Sequence, residues 1–202
     1  MRKLVVTAFL SLDGVVQAPG GPREDEDGGF TLGGWTVPFF DDTVGAAMGE
    51  FMGKPFDLLL GRRTYDVFAA FWPTASEEEG AGPLNAATKH VASRSRPTLT
   101  WDRSVLLDGD VPQAVAALKE QDGSELQVHG SGTLVQTLLQ HGLVDEWHLL
   151  TIPVVLGSGK RLFGEGALPR SLRVLSSTVS GTGVVITRYA TAGEVQTGTF
   201  GA

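Results

Sequence analysis

Three short segments of the chain carry residue types suited to gripping phosphate. Gly130-Ser131-Gly132-Thr133 follows the strand-like run Glu125 to His129 and leads into Leu134, Val135, Leu138 and Leu139 at helical spacing. A glycine turn from strand into helix lets a ligand approach the backbone, and the free N–H groups and positive dipole end of the helix suit a phosphate or pyrophosphate. The full dinucleotide fingerprint would need a third glycine where Val135 stands and an acidic residue ending the next strand, whereas Asp145 begins it. A plain strand-to-helix turn therefore accounts for these residues equally well. Gly61-Arg62-Arg63-Thr64 lies at a second such junction, where guanidinium groups, a capping hydroxyl and a helix end match a terminal phosphate. Ser93-Arg94-Ser95-Arg96 follows a third strand with similar chemistry. Solvated surface arginines are the simple alternative. The chain has only 16 Lys plus Arg against 23 Asp plus Glu, a net charge of −7, so four arginines in two strand-end loops stand out. Ligands of open α/β sheets bind at the carboxyl ends of strands, which predicts one shared cleft.

Acid–base candidates are fewer. Asp13 precedes Gly14 after the first strand, and Asp41 and Asp42 precede an amphipathic run. Burial would raise the pKa of Asp41 or Asp42 enough for one to donate a proton or orient a water, while the structural alternative makes one of them a helix cap. Asp13 reads better as a turn-fixing residue than as a catalyst. Four dispersed histidines and no cysteine form no metal signature and allow no disulfide.

The elements that must position these residues read as a mixed α/β pattern. Residues 3 to 12 are a continuous apolar run, expected as a central strand covered on both faces. Residues 13 to 36 hold seven glycines, two prolines and the acidic cluster Glu24-Asp25-Glu26-Asp27, a loop long enough to cover something. Helices are expected from Asp42 to Met52, from Gly61 through Ala69, from Val111 to Leu118 and after Gly132. Strands are expected at 56–60, 89–92, 105–107, 125–129 and 145–152, with residues 73–87 looped. Segments 172–179 and 183–190 read as a hairpin around Gly181-Thr182-Gly183, and 192–202 as a tail. The resulting expectation is a three-layer α/β domain over residues 1–191, its mainly parallel sheet ending in an antiparallel hairpin. Met1-Arg2-Lys3 and the following apolar run imitate a signal peptide, but Asp13-Gly14 follows without a cleavage pattern. No stretch reaches the roughly 18 apolar residues of a membrane span, so a cytoplasmic chain is expected. The acidic balance disfavours nucleic acid as a partner.

The order of these motifs resembles the dihydrofolate-reductase-like fold, and more closely the carboxy-terminal reductase domain of the riboflavin-biosynthesis deaminase-reductase. The resemblance covers nearly the whole chain. It rests on Ser11-Leu12-Asp13-Gly14, Leu60-Gly61-Arg62-Arg63-Thr64-Tyr65, Gly130-Ser131-Gly132-Thr133-Leu134 and, most specifically, Pro153-Val154-Val155-Leu156-Gly157-Ser158-Gly159-Lys160-Arg161-Leu162-Phe163. It implies NADPH as cofactor. Arg62, Arg63 and Thr64 would meet the 2′-phosphate and its neighbour, Ser93 and Arg94 the adenosine end, and Gly130 to Leu134 the pyrophosphate. Trp35, Asp13, the segment to Asp42 and Gly157-Ser158-Gly159 would face the nicotinamide and substrate. The Trp35, Pro38, Asp41 and Asp42 sequence is similar to the dihydrofolate reductase arrangement, although the interval to Gly61 is several residues longer. The implied activity is NADPH-dependent reduction of a small heterocycle, such as a ribosylaminopyrimidine or a pterin, by a homodimer. An acidic loop 23–27 folded over the cleft would disfavour a phosphorylated substrate. A non-catalytic NADPH-binding or sensor module is the alternative.

Overall fold

Alternating apolar runs and helical patterns fold as their periods dictate. The computed structural model describes residues 1–164 and 167–201. Strand β1 (Leu4–Ser11) is buried along nearly its whole length and lies inside an eight-stranded sheet. The other strands are β2 (Phe56–Gly61), β3 (Lys89–Ala92), β4 (Ser104–Leu106), β5 (Glu125–His129), β6 (Glu146–Ile152), β7 (Leu172–Val179) and β8 (Val185–Thr191), in the order β4-β3-β2-β5-β1-β6-β8-β7. Pairing is parallel from β4 to β6, while β8 runs antiparallel to both β6 and β7. This is the mixed sheet with a terminal hairpin that the sequence pattern predicts.

Side-chain alternation along β1 divides the core. Leu4, Val6, Ala8 and Leu10 pack against helices α4 (Val111–Glu120) and α5 (Gly132–Gln140) through Val115, Leu134, Val135 and Leu138. On the opposite face, α1 (Asp42–Phe51) buries Val44 and Phe51 against Leu150 and Ile152, and α2 (Arg62–Phe71) buries Tyr65 against Leu58, Leu60 and Val91. Helices thus cover both faces of the sheet.

One expectation is corrected. Residues 73–87 are not wholly looped, because α3 (Ala81–Ala86) forms there despite Gly80, Gly82 and Pro83. Its intrinsic propensity is poor, and tertiary contacts supply what propensity lacks. Ala81 and Leu84 are buried, and the Asn85 amide donates to the Trp72 carbonyl and accepts from Trp101 Nε1, at 2.9 and 2.8 Å.

Candidate functional site

The sheet order decides what the strand-end loops become. β3, β2 and β5 are adjacent and parallel, so their carboxyl ends open on one edge. Ala92 pairs with Gly61, which puts Ser93 beside Arg62, and extending the pairing of Leu58 with Gln127 puts Gly61 beside Gly130. The three loops therefore lie side by side.

Gly61 and Ser131 make the tightest of these approaches. The Gly61 N–H donates to Ser131 Oγ at 3.0 Å, and the same hydroxyl lies 2.5 Å from Thr64 Oγ1. A Cβ on Gly61 would stand 2.7 Å from Ser131 Oγ, so only glycine lets the two helix starts meet. Ser131 itself adopts left-handed φ 65°, next to Gly130 at φ 79°. Its hydroxyl, spent on Gly61 and Thr64, does not cap its own helix. Neither α2 nor α5 has a side-chain cap or an acidic residue in its first turn, whereas Asp41 caps α1 and Asp110 caps α4. Two uncapped helix N-termini with their positive dipole ends thus sit together, and the space above Gly130 is open.

The surrounding side chains agree with an anion seat. Arg62 pairs with Asp66 one turn along α2, at 2.7 Å. Arg94 is exposed and has no ion-pair partner among the described residues, while the Ser93 hydroxyl accepts from the Ser95 N–H at 3.2 Å. Thr133 is exposed and Leu134 buried, as expected for the first turn of an amphipathic helix. Arg63 points elsewhere. Its guanidinium reaches Asp27 at 2.8 Å and Asp25 at 3.3 Å, and Lys160 Nζ holds the same carboxylates at 2.9 and 2.6 Å. Those two cations hold Asp27 down to about 2, and the Asp27 and Asp25 carboxylates in turn push Arg63 up.

The long loop after β1 is organised from within. Buried Gln17 donates to the carbonyls of Asp25 and Asp27 at 3.0 and 2.9 Å and accepts from the Lys160 N–H at 3.0 Å. Trp35 is buried with Phe30, Val44 and Ile152, and its Nε1 donates to the Gln17 carbonyl at 2.8 Å. The loop and the segment after β6 line an open cavity of about 380 Å³, bordered by Gln17, Asp27, Phe30, Ser158, Gly159 and Lys160. Gly159, at φ +121°, lies where a Cβ would strike Val15 at 2.7 Å. Ser158 and Gly159 thus reach this cavity. Trp35 instead anchors the loop to the core.

The candidate acids are all engaged or exposed. Asp13 accepts from Ser11 Oγ at 2.7 Å and from the N–H groups of Leu156 and Gly157 at 3.1 and 2.9 Å, so these hydrogen bonds hold its carboxyl well below the usual range. Asp41 accepts from the Val44 N–H at 3.0 Å and the Thr182 N–H at 3.1 Å, which lowers it as well. Asp42 is exposed in the first turn of α1. Both Asp13 and Asp41 are therefore braces between distant segments, and neither is buried enough to hold a proton at neutral pH. Gln17 and Lys160 went unmarked by sequence reasoning. Lys160 directly follows the Gly157-Ser158-Gly159 motif, a usable signal, whereas no local pattern distinguishes Gln17.

Comparison with known proteins agrees with this fold. Residues 2–186 match the RibD C-terminal domain. The chain is 24% identical to the uncharacterized protein YyaP of Bacillus subtilis (strain 168), over 91% of this chain and 92% of that protein. It is 26% identical to YwjB of the same strain, over 86% and 89%. Among solved structures, a putative riboflavin biosynthesis protein from Shewanella sp. PV-4 superposes with TM-score 0.65 at 21% identity, covering 94% of this chain and 99% of that one. A pyrimidine reductase-like protein from Corynebacterium diphtheriae gives 0.63 at 14% identity, over 95% and 92%. Dihydrofolate reductase from Enterococcus faecalis, complexed with NADP(H) and RAB-propyl, gives 0.56 at 14% identity, over 94% of each.

Proposed function

Because the chain belongs to the RibD C-terminal domain family, a dihydrofolate-reductase-like reductase family, we propose that it is an NADPH-dependent reductase of a small heterocyclic substrate. One observation carries the cofactor reading: the uncapped N-termini of α2 and α5 meet at Gly61 and Ser131, with Arg62, Arg63 and Thr64 on one and Gly130 to Leu134 on the other. Such a seat suits a pyrophosphate, and the adjacent Arg62 and Arg94 suit a further phosphate on the adenosine ribose, which favours NADPH over NADH.

When bound, NADPH supplies the hydride, and the chain supplies binding, orientation and exclusion of water. Helix N-termini and guanidinium groups hold the phosphates. The loop anchored by Trp35 and Gln17 shields the carboxyl edge of β1 and β6, where Ser158 and Gly159 face the cavity. Asp13 keeps the segment after β6 in place through the N–H groups of Leu156 and Gly157. With their pKa values lowered, Asp13 and Asp41 would not serve as carboxylic-acid donors, so the proton that accompanies reduction would come from solvent. A pterin or an aminopyrimidine fits this chemistry. The same ionised braces favour, as the second reading, a cofactor-binding module without turnover.

Residues 1–191 are proposed as one domain, since β8, the last strand along the chain, ends at Thr191, with 192–202 a tail. Among the described residues, no helix is long and apolar enough to cross a membrane. Edge strand β7 exposes Val174 and Val179, and pairing of two such edges would form a homodimer, which light scattering would detect. Titration with NADPH and NADH by fluorescence tests the cofactor: equal affinity for both, or binding of neither, refutes the reading. Turnover with a panel of pterins and aminopyrimidines separates the reductase from the silent module.

A further inference from the structure

Arg63 and Lys160 come from segments that have nothing in common in sequence, one opening α2 and the other following β6. They nevertheless converge on the same carboxylate oxygen, Asp27 Oδ2, at 2.8 and 2.9 Å, and both also reach Asp25. Two cations that close together need an anion between them. Here it is a pair of carboxylates, which offer four acceptor oxygens in all. Arg63 belongs to the helix start that meets Ser131, and Lys160 and Asp27 both line the 380 Å³ cavity. The carboxylates therefore tie the start of α2 to the cavity, Asp27 lining the cavity while it pairs with Arg63.

The strap that carries the carboxylates is held in place by side-chain-to-backbone hydrogen bonds. A single buried side chain, Gln17, holds the Asp25 and Asp27 carbonyls and the Lys160 N–H together. Asp25 is 18% exposed and Asp27 53%, so one acid is tucked in and the other stands at the surface, where it can leave. In a chain with net charge −7, the acidic run Glu24 to Asp27 would repel a phosphate anywhere on this edge, unless it moved away from the cations it now neutralises.

We infer that Arg63 and Lys160 form a seat for a phosphate group of the cofactor, and that Asp25 and Asp27 occupy this seat as an internal competitor until the cofactor displaces them. Lys160 thereby becomes a cofactor-binding residue, and the acidic strap an electrostatic gate on affinity. The inference rests on the NADPH reading above and adds to it a site and a competitor. Displacement costs the ion pairs between strap and cations, so cofactor affinity is lower than the seat alone would give. It also exchanges one anion for another, which reduces net counterion release and flattens the dependence of binding on salt.

The test compares the full-length chain with its Asp25→Asn/Asp27→Asn variant by calorimetric titration with NADPH at about 50 and about 300 mM salt. The variant is expected to bind about tenfold more tightly at low salt, with a steeper loss of affinity as salt rises. Adding Lys160→Met to the variant should return most of that gain, whereas in the wild-type background the same change should matter little, because it removes a seat and its competitor's anchor together. Inorganic pyrophosphate, as a second probe, should bind the variant more tightly than the wild type. If the double variant fails to fold, Asp27→Asn alone, at the more exposed side chain, should still tighten NADPH about threefold. Unchanged or weaker NADPH binding in a folded variant, with wild type still binding, overturns the competitor and leaves the NADPH reading standing. Absence of NADPH binding in both proteins overturns that reading and the inference with it.

Discussion

Replacing His148 by leucine should remove a large part of the sensitivity of this fold to mild acid. His148 lies on β6, in register with Thr7 on β1 and Arg188 on β8, so its ring faces the underside of α1. It stacks on Phe51 with centroids 4.1 Å apart, is 4% exposed, and neither ring nitrogen has a hydrogen-bond partner. Burial first, and then the Arg188 charge, push it from 6.5 down to about 4, with Glu146 pulling weakly the other way. His129 on β5, also paired with Thr7, is pushed to about 4 by burial and by His148. A histidine whose folded pKa lies below its unfolded value stabilises the fold above about pH 6.5, and that stability is lost as pH falls toward the folded value. At about pH 5, each of the two would have given up about 2 kcal/mol relative to about pH 7.5. Together this lowers the midpoint of thermal unfolding by on the order of 10 °C for a chain of this size. Among the carboxylates, Glu24, raised by burial, contributes a slope of the opposite sign, whereas the lowered ones do not interfere in that window. Asp13, Asp27 and Asp41 are lowered below the ordinary 3.8, so their contribution is lost only at more acid pH. His90, lowered by burial against the pull of Asp57, leaves a residual slope of the same sign. The assay is urea unfolding followed by circular dichroism at both pH values. His148→Leu should shrink the difference between them by about 2 kcal/mol while leaving stability near neutrality equal or higher, since a buried ring with unpaired nitrogens is lost. A wild-type pH difference in that variant would refute the claim that this fold holds His148 neutral.

Other changes probe the site. Arg62→Ala with Arg94→Ala should weaken NADPH more than NADH, and an unchanged ratio of the two affinities would refute a role at the extra phosphate. Gly61→Ala drives a methyl to within 2.7 Å of Ser131 Oγ, so it should separate the two helix starts, cost about 1 to 3 kcal/mol in urea unfolding, and weaken NADPH in parallel. Asp41→Ala removes the α1 cap and its hold on Thr182, and should lower the thermal midpoint by about 3 °C, while a loss of turnover without a change in stability would restore a chemical role to Asp41. Asp13→Asn keeps the shape but weakens the grip on the Leu156 and Gly157 N–H groups, so hydrogen exchange at 154–160 should speed up.

Much of this architecture is written locally. The apolar run of β1, a capping aspartate before α1, the glycine turns before α2 and α5 and the alternation of strand with helix all depend on residues within a turn or two of each other, and the sequence displays them directly. The resemblance to dihydrofolate-reductase-like reductases needed only the order of four such motifs. The helix α3 escaped because its residues are poor helix formers, and the contacts that hold it, from Trp72 and Trp101, come from elsewhere in the chain. The same limit applies to the site. That Arg62 and Ser93 stand together follows from β2 and β3 being neighbours, and that Gly61 touches Ser131 follows from β5 lying on its other side. Sequence chemistry marked the arginine and glycine loops as phosphate binders. Only the tertiary structure decided that Asp13 and Asp41 are ionised braces, that His148 is sealed beneath α1, and that the acidic strap rests on Arg63 and Lys160. The physical reason is one of range. Backbone propensity and capping act over a few residues, while burial, charge pairing and pKa are set by neighbours that the sheet brings in from far along the chain, such as Gly157, which lies 144 residues from Asp13.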